Sequence, residues 1–195
     1  MTANGAVFEL SAARAARARR TGQIARLGTD GYVAHRFSLD RVYLPRLVRT
    51  LEAWQAKAGP DGVFRTSRPT PLTDLAGTEI LGVRSMLVTM TGTQPESWLI
   101  AFYGRTLVDV TAAQYLGRRF SDLPGTITDA SLTTLREVLP EQRPAVHRIT
   151  GIINGRTLTY DRLVLPVADR TGPVSRFITV SERIDDVREA IRLPV

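Results

Sequence analysis

Apolar and polar positions along this chain change their period several times, and each change marks an element. After Pro45, a residue suited to a first helical turn, Leu47, Val48, Leu51 and Trp54 share one stripe, which predicts a helix ended by GPDG at 59–62. RTSRPTPLTD, residues 65–74, is a Pro-rich connection. Weak alternation from Met86 to Met90, the turn TGTQPES and the apolar run SWLIAFYG predict two strands. The stretch 105–125 reads as short helical turns broken at Gly117 and Pro124. Asp129 suits the cap of a longer helix in which Leu132, Leu135, Val138 and Leu139 share a face until Pro140.

From His147 to Val180 the period becomes two, with three strands joined by two turns. Asn154-Gly155 is a two-residue hairpin signal, because both residues tolerate positive φ. The register that follows sets Ile149 opposite Tyr160, Arg148 opposite Asp161 and His147 opposite Arg162. The pair of opposite charges was not used to set the register and agrees with it. The chain closes on SERIDDVREAIRL, where Ile184, Val187 and Ile191 lie on one helical face.

Helix, two strands, helical segment, three strands and helix imply an α+β fold, an antiparallel sheet of about five strands with helices on one face. The order resembles a Per-Arnt-Sim (PAS) domain, and more closely a bacterial PAS-like family that begins with a tryptophan-bearing helix. LVRTLEAWQAKAG matches that helix and SWLIAFYGRTLVDV its glycine-ended strand with a following turn. LGRRFSDLPG matches its Gly-Arg element, and YDRLVLPVADRTGPV its tyrosine-to-proline strand. The likeness spans residues 45 to 182, with Ala101 where the family often has arginine. It implies a sensor or interaction module that holds a small ligand between sheet and helices or meets a signalling partner, and that catalyses nothing. The domain expected is 38–182, preceded by an extension over 1–37 and followed by a helix over 183–195.

Composition narrows the picture. At 195 residues with 43% hydrophobic side chains, the chain suits one domain with a core. It has no cysteine, so disulfides, thiolate nucleophiles and thiolate metal sites are excluded. A cytoplasmic location fits that and the lack of a membrane-length apolar run. Net charge is +7, and Lys57 is the sole lysine among 26 basic residues. Arg14, Arg17, Arg19, Arg20 and Arg26 crowd the first residues, so the rival reading is an adaptor for nucleic acid or an anionic membrane surface. Elsewhere acids accompany the bases, which argues against nucleic acid.

No phosphate loop, nucleophile elbow or acid/base pair stands out, and two histidines cannot make a multi-histidine metal site. No cofactor is expected. What stands out instead is that His147 and Arg162 fall on the apolar side of the hairpin, where desolvation penalises a bare cation. Either they bind an anionic or carbonyl-bearing ligand with Tyr160 beside them, or they reach water or an acid such as Asp109 or Asp122. Trp98 and Phe102 are further candidates for a pocket wall, Trp54 with them. Ile184, Val187 and Ile191 are candidates for a partner or homodimer contact.

Overall fold

A computed structural model describes residues 25–27, 32–67, 75, 85–123, 125–153 and 156–184. The strands are β1 (Ala25–Leu27), β2 (Tyr32–Phe37), β3 (Phe64–Arg65), β4 (Ser85–Thr89), β5 (Leu99–Tyr103), β6 (Ala145–Ile153), β7 (Arg156–Ala168) and β8 (Val174–Arg183). The helices are α1 (Pro45–Lys57), α2 (Arg105–Thr111) and α3 (Gly125–Glu141). One sheet holds all the strands in the order β1-β2-β6-β7-β8-β4-β5, with β3 alongside β7. All pairings are antiparallel except the short β3–β7 contact. This is the PAS-like α+β arrangement: strands β4 and β5, a helical segment, then β6, β7 and β8.

The β6–β7 register is the one the hairpin signal dictates, His147 opposite Arg162 and Arg148 opposite Asp161. The Arg148 guanidinium donates to both Asp161 carboxylate oxygens at 2.9 and 3.0 Å. Asn154 and Gly155 themselves lie outside the described residues.

Strand alternation through the middle of the sheet sends Leu163, Leu165, Ile178 and Val180 to one face and Val164 and Phe177 to the other. Helix α1 covers the first set with Leu47, Leu51 and Trp54. Helix α3 covers the second with Leu132, Leu135 and Val138. Because β7 is buried on both sides, LVLPV reads as a continuous apolar run rather than an alternating one. Trp54 secures α1 to the sheet, its indole N–H donating to the Pro166 carbonyl at 3.1 Å.

Three expectations need correction. Residues 25–27 and 32–37, assigned from sequence to the extension over 1–37, form β1 and β2 instead, and β2 pairs with β6 from Val33 opposite Thr150 to Phe37 opposite Val146. The sheet therefore gains strands beyond the expected five and the domain begins before residue 38. The backbone groups of β2 find partners on the otherwise open edge of β6. Residues 1–24, with most of the crowded arginines, lie outside the described residues.

Secondly, α3 begins at Gly125, ahead of Asp129, and runs through Pro140. In the last turn a proline removes one hydrogen bond rather than breaking a ladder. The helix stops a step later at Gln142, which takes φ 51° and donates to the Val138 carbonyl at 2.9 Å.

Thirdly, a bulge interrupts simple alternation in β5. Leu87 faces Phe102 while Val88 faces Ile100, leaving Ala101 as the extra residue. Ala101 and Phe102 consequently both pack toward α1, and Tyr103 takes the opposite face.

Candidate functional site

Between the α3-side face of the sheet, α2 and α3 lies a partly open cavity with about 60 Å³ of space for the centres of water-sized spheres. Its walls come from β2 (Tyr32), β4 (Met86), β5 (Tyr103), α2, α3 and the paired ends of β7 and β8. Period-two geometry explains the polar part of that wall. Tyr160 and Arg162 point to one face of β7, and the β7–β8 register places Arg183 opposite Tyr160 and Ser181 opposite Arg162.

Arg162 is 9% exposed and meets hydroxyls only: Nε donates to Ser181 Oγ at 3.3 Å, one terminal nitrogen to Ser131 Oγ at 3.2 Å, and the other to Tyr160 OH at 3.4 Å. Its guanidinium carbon also stands 5.5 Å from the Tyr160 ring centre. Arg183 lines the cavity as well, and among the described residues no lining residue is acidic. Burial pushes the hydroxyls of Tyr32 and Tyr103 up to about 12, with Arg162 working the other way, so both stay neutral near pH 7. The cavity is thus a largely apolar space with positive charge at one end.

The candidates from the hairpin separate here. Tyr160 and Arg162 line the cavity, and His147 does not. His147 is 1% exposed, and its Nε2 lies 2.8 Å from Glu137 Oε2 on α3. The carboxylate accepts, so the imidazole proton sits on Nε2, and Nδ1 has no partner among the described residues. The acids named from sequence, Asp109 and Asp122, are exposed and serve neither cation.

Trp98 is fully buried, stacked on Phe177 with ring centres 5.6 Å apart, and lies outside the cavity wall. Phe102 packs on the α1 side because the bulge turned it there. Trp54 likewise belongs to the α1 core. Ile184 is 8% exposed and packs within its own chain, while Val187 and Ile191 lie outside the described residues. Sequence reasoning missed Tyr32, Tyr103, Ser131, Ser181 and Arg183. Ser181 and Arg183 had only a misleading signal: a bulge between Val167 and Ala168 shifts the β7–β8 register, so extending it from the turn would set Ser181 opposite Asp161 rather than Arg162. Ser131 and Tyr32 had none.

Burial lowers the His147 pKa from its ordinary 6.5, the Glu137 hydrogen bond opposes this, and the guanidiniums of Arg36 and Arg162 add to the lowering. As pH falls through about 6.5 the unfolded chain takes up a proton that the folded one still refuses. Stability is therefore complete above that value and declines as pH drops toward the folded-state pKa. The expected result is a falling urea midpoint between about pH 7 and pH 5, with a visibly flatter slope in His147→Gln. Equal slopes in the two proteins would show that the imidazole is not held neutral.

Among the described residues no group of three His, Asp or Glu side chains is placed to hold a metal ion. No described helix is long and apolar enough to cross a membrane.

No family pattern matches this sequence, and no curated protein does. Similar solved structures include the dark state of the blue-light photoreceptor Aureochrome1 LOV, 13% identical over 55% of this chain and 80% of that one, TM-score 0.42. An RNA-binding light-oxygen-voltage receptor is 11% identical over 86% of this chain and 42% of that one, TM-score 0.44. The PAS domain of Bordetella pertussis BvgS is 17% identical over 56% and 81%, TM-score 0.41. Such distant likenesses carry no ligand, partner or output across to this chain.

Proposed function

We propose that this protein is a non-catalytic, cytoplasmic sensory and signalling module of the PAS type, which holds a small molecule in the cavity beneath α2 and α3 and reports its presence to a partner protein. The observation that carries this reading is the cavity wall, where a buried guanidinium faces apolar side chains and, among the described residues, no acid. A core filled only for stability gains nothing from that arrangement, since a methionine or leucine at the same place avoids the desolvation cost. Nothing in the wall suits it to bond-making. Neither histidine meets a serine or threonine hydroxyl among the described residues, and His147 is occupied by Glu137.

A route for the signal is built into β8. Arg183 lines the cavity, and the next residue, Ile184, is buried where the chain leaves the sheet. A guest that engages Arg183 biases the packing of Ile184 by as much as its affinity differs between the two arrangements.

Native mass spectrometry of protein purified from its own cells tests the reading, alongside Ala130→Leu, which adds volume at a buried wall position of α3. The wild type is expected to carry a small-molecule adduct and to melt higher with a metabolite extract of those cells, and the variant to show neither. An empty wild type whose melting ignores the extract would end the sensory reading.

A further inference from the structure

We propose that the guest is a short-chain monocarboxylate, a carboxylate group on an apolar tail of one to three carbons, anchored by Arg162. This deepens the sensory reading above and rests on it. The first argument is charge. Arg162 lines the cavity with no acid among the described residues of the wall, and every contact that Arg162 makes is to a neutral hydroxyl. A cation taken out of water and given only neutral donors and acceptors is under-compensated, and an anion brought into the same space restores the balance.

Geometry selects the kind of anion. A guanidinium offers five N–H groups, and the bonds to Ser181, Ser131 and Tyr160 engage one on each nitrogen. One N–H on each terminal nitrogen is left, and a planar carboxylate accepts from two such groups at once when both face it. The rest of the wall is apolar, with Met86, Leu107, Val110, Leu123 and Leu158 in it. Phosphate or sulfate would turn oxygens toward those side chains, whereas a carboxylate puts its polar atoms at one end only.

Size limits the tail. The space of about 60 Å³ for sphere centres is well below the roughly 150 Å³ cavity that admits benzene. Acetate and propionate match that scale, and an aromatic acid or a nucleotide does not. With so few atoms the affinity is expected in the range from micromolar to millimolar.

Calorimetry and thermal melting of the full chain, at constant ionic strength, with acetate, propionate, butyrate, inorganic phosphate and the uncharged propionamide, test the proposal. Propionate is expected to bind at least about tenfold more tightly than propionamide and to raise the melting temperature, while phosphate leaves it unmoved. Arg162→Met is expected to stay folded and to lose the carboxylate response. Should that variant fail to fold, the comparison of propionate with propionamide in the wild type decides alone. Equal binding of acid and amide, a preference for phosphate, or no response to any carboxylate overturns the inference. If native mass spectrometry finds a neutral guest while the carboxylates do nothing, the sensory reading stands and this inference falls. If no guest of any class is found, both fall.

Discussion

Replacing Trp98 with alanine is expected to destabilise the domain by about 3–5 kcal/mol and to lower its melting temperature by roughly 6–20 °C. Three independent contributions are lost together. The indole is fully buried in the cluster that joins β4 and β5 to α3, so its removal leaves a void that the surrounding Ile100, Phe120 and Leu135 cannot close. Its stacking on Phe177, with planes inclined by 23°, ties β5 to β8 across β4. Its N–H donates to the Gly92 carbonyl at 2.9 Å and holds the 91–97 turn against the sheet. Trp98→Phe keeps the stacking and part of the volume but not the hydrogen bond, and is expected to cost less than half as much. Urea denaturation of the two variants checks this. A cost below about 1 kcal/mol for Trp98→Ala would mean that the core collapses readily around the missing ring.

The second large effect is expected at Gly151. Added to this strand residue, a Cβ atom would stand 2.4 Å from Cδ1 and 2.5 Å from Cε1 of Tyr32. Tyr32 is itself buried and part of the cavity wall, so relieving the contact pushes its ring into the cavity. Gly151→Ala is therefore expected to cost about 1–3 kcal/mol, the usual range for overpacking, and to disturb ligand binding through Tyr32. A double-mutant cycle isolates the cause. In Gly151→Ala combined with Tyr32→Ala the clash is gone, so the two costs should fall short of additive by more than about 0.5 kcal/mol. Strict additivity would place the origin of the effect somewhere other than the ring.

Both predictions concern contacts made by β2 and β5 with strands distant in sequence, and those are the places where reading from sequence failed. Tyr32 and Ala34 alternate correctly for a strand, but six residues beside an Ala/Arg-rich stretch gave no sign that the edge of β6, more than a hundred residues away, was open to receive them. Strict alternation places Phe102 on the same face as Trp98, and a single extra residue at Ala101 reverses that. Nothing in the helical pattern marks Glu137, and only the packing of α3 on β6 turns it toward His147. By contrast the helix over 45–57 and the five strands of the PAS-like order were legible, since each is defined by a period that holds over its own length.

What the amino-acid sequence determined by itself was local: the α1 stripe, the order of elements, and the β6–β7 register down to the pairing of His147 with Arg162, because a two-residue turn leaves the following residues only one way to face. What the tertiary structure alone decided was the fate of those two cations. Register says that they are neighbours on a buried face but not what lies above them. α3 brings Glu137 to one and Ser131 to the other, and β8 adds a second serine. One basic side chain is thereby hydrogen-bonded to a carboxylate and the other left with hydroxyls only, a difference that depends on long-range packing and on no feature within the hairpin.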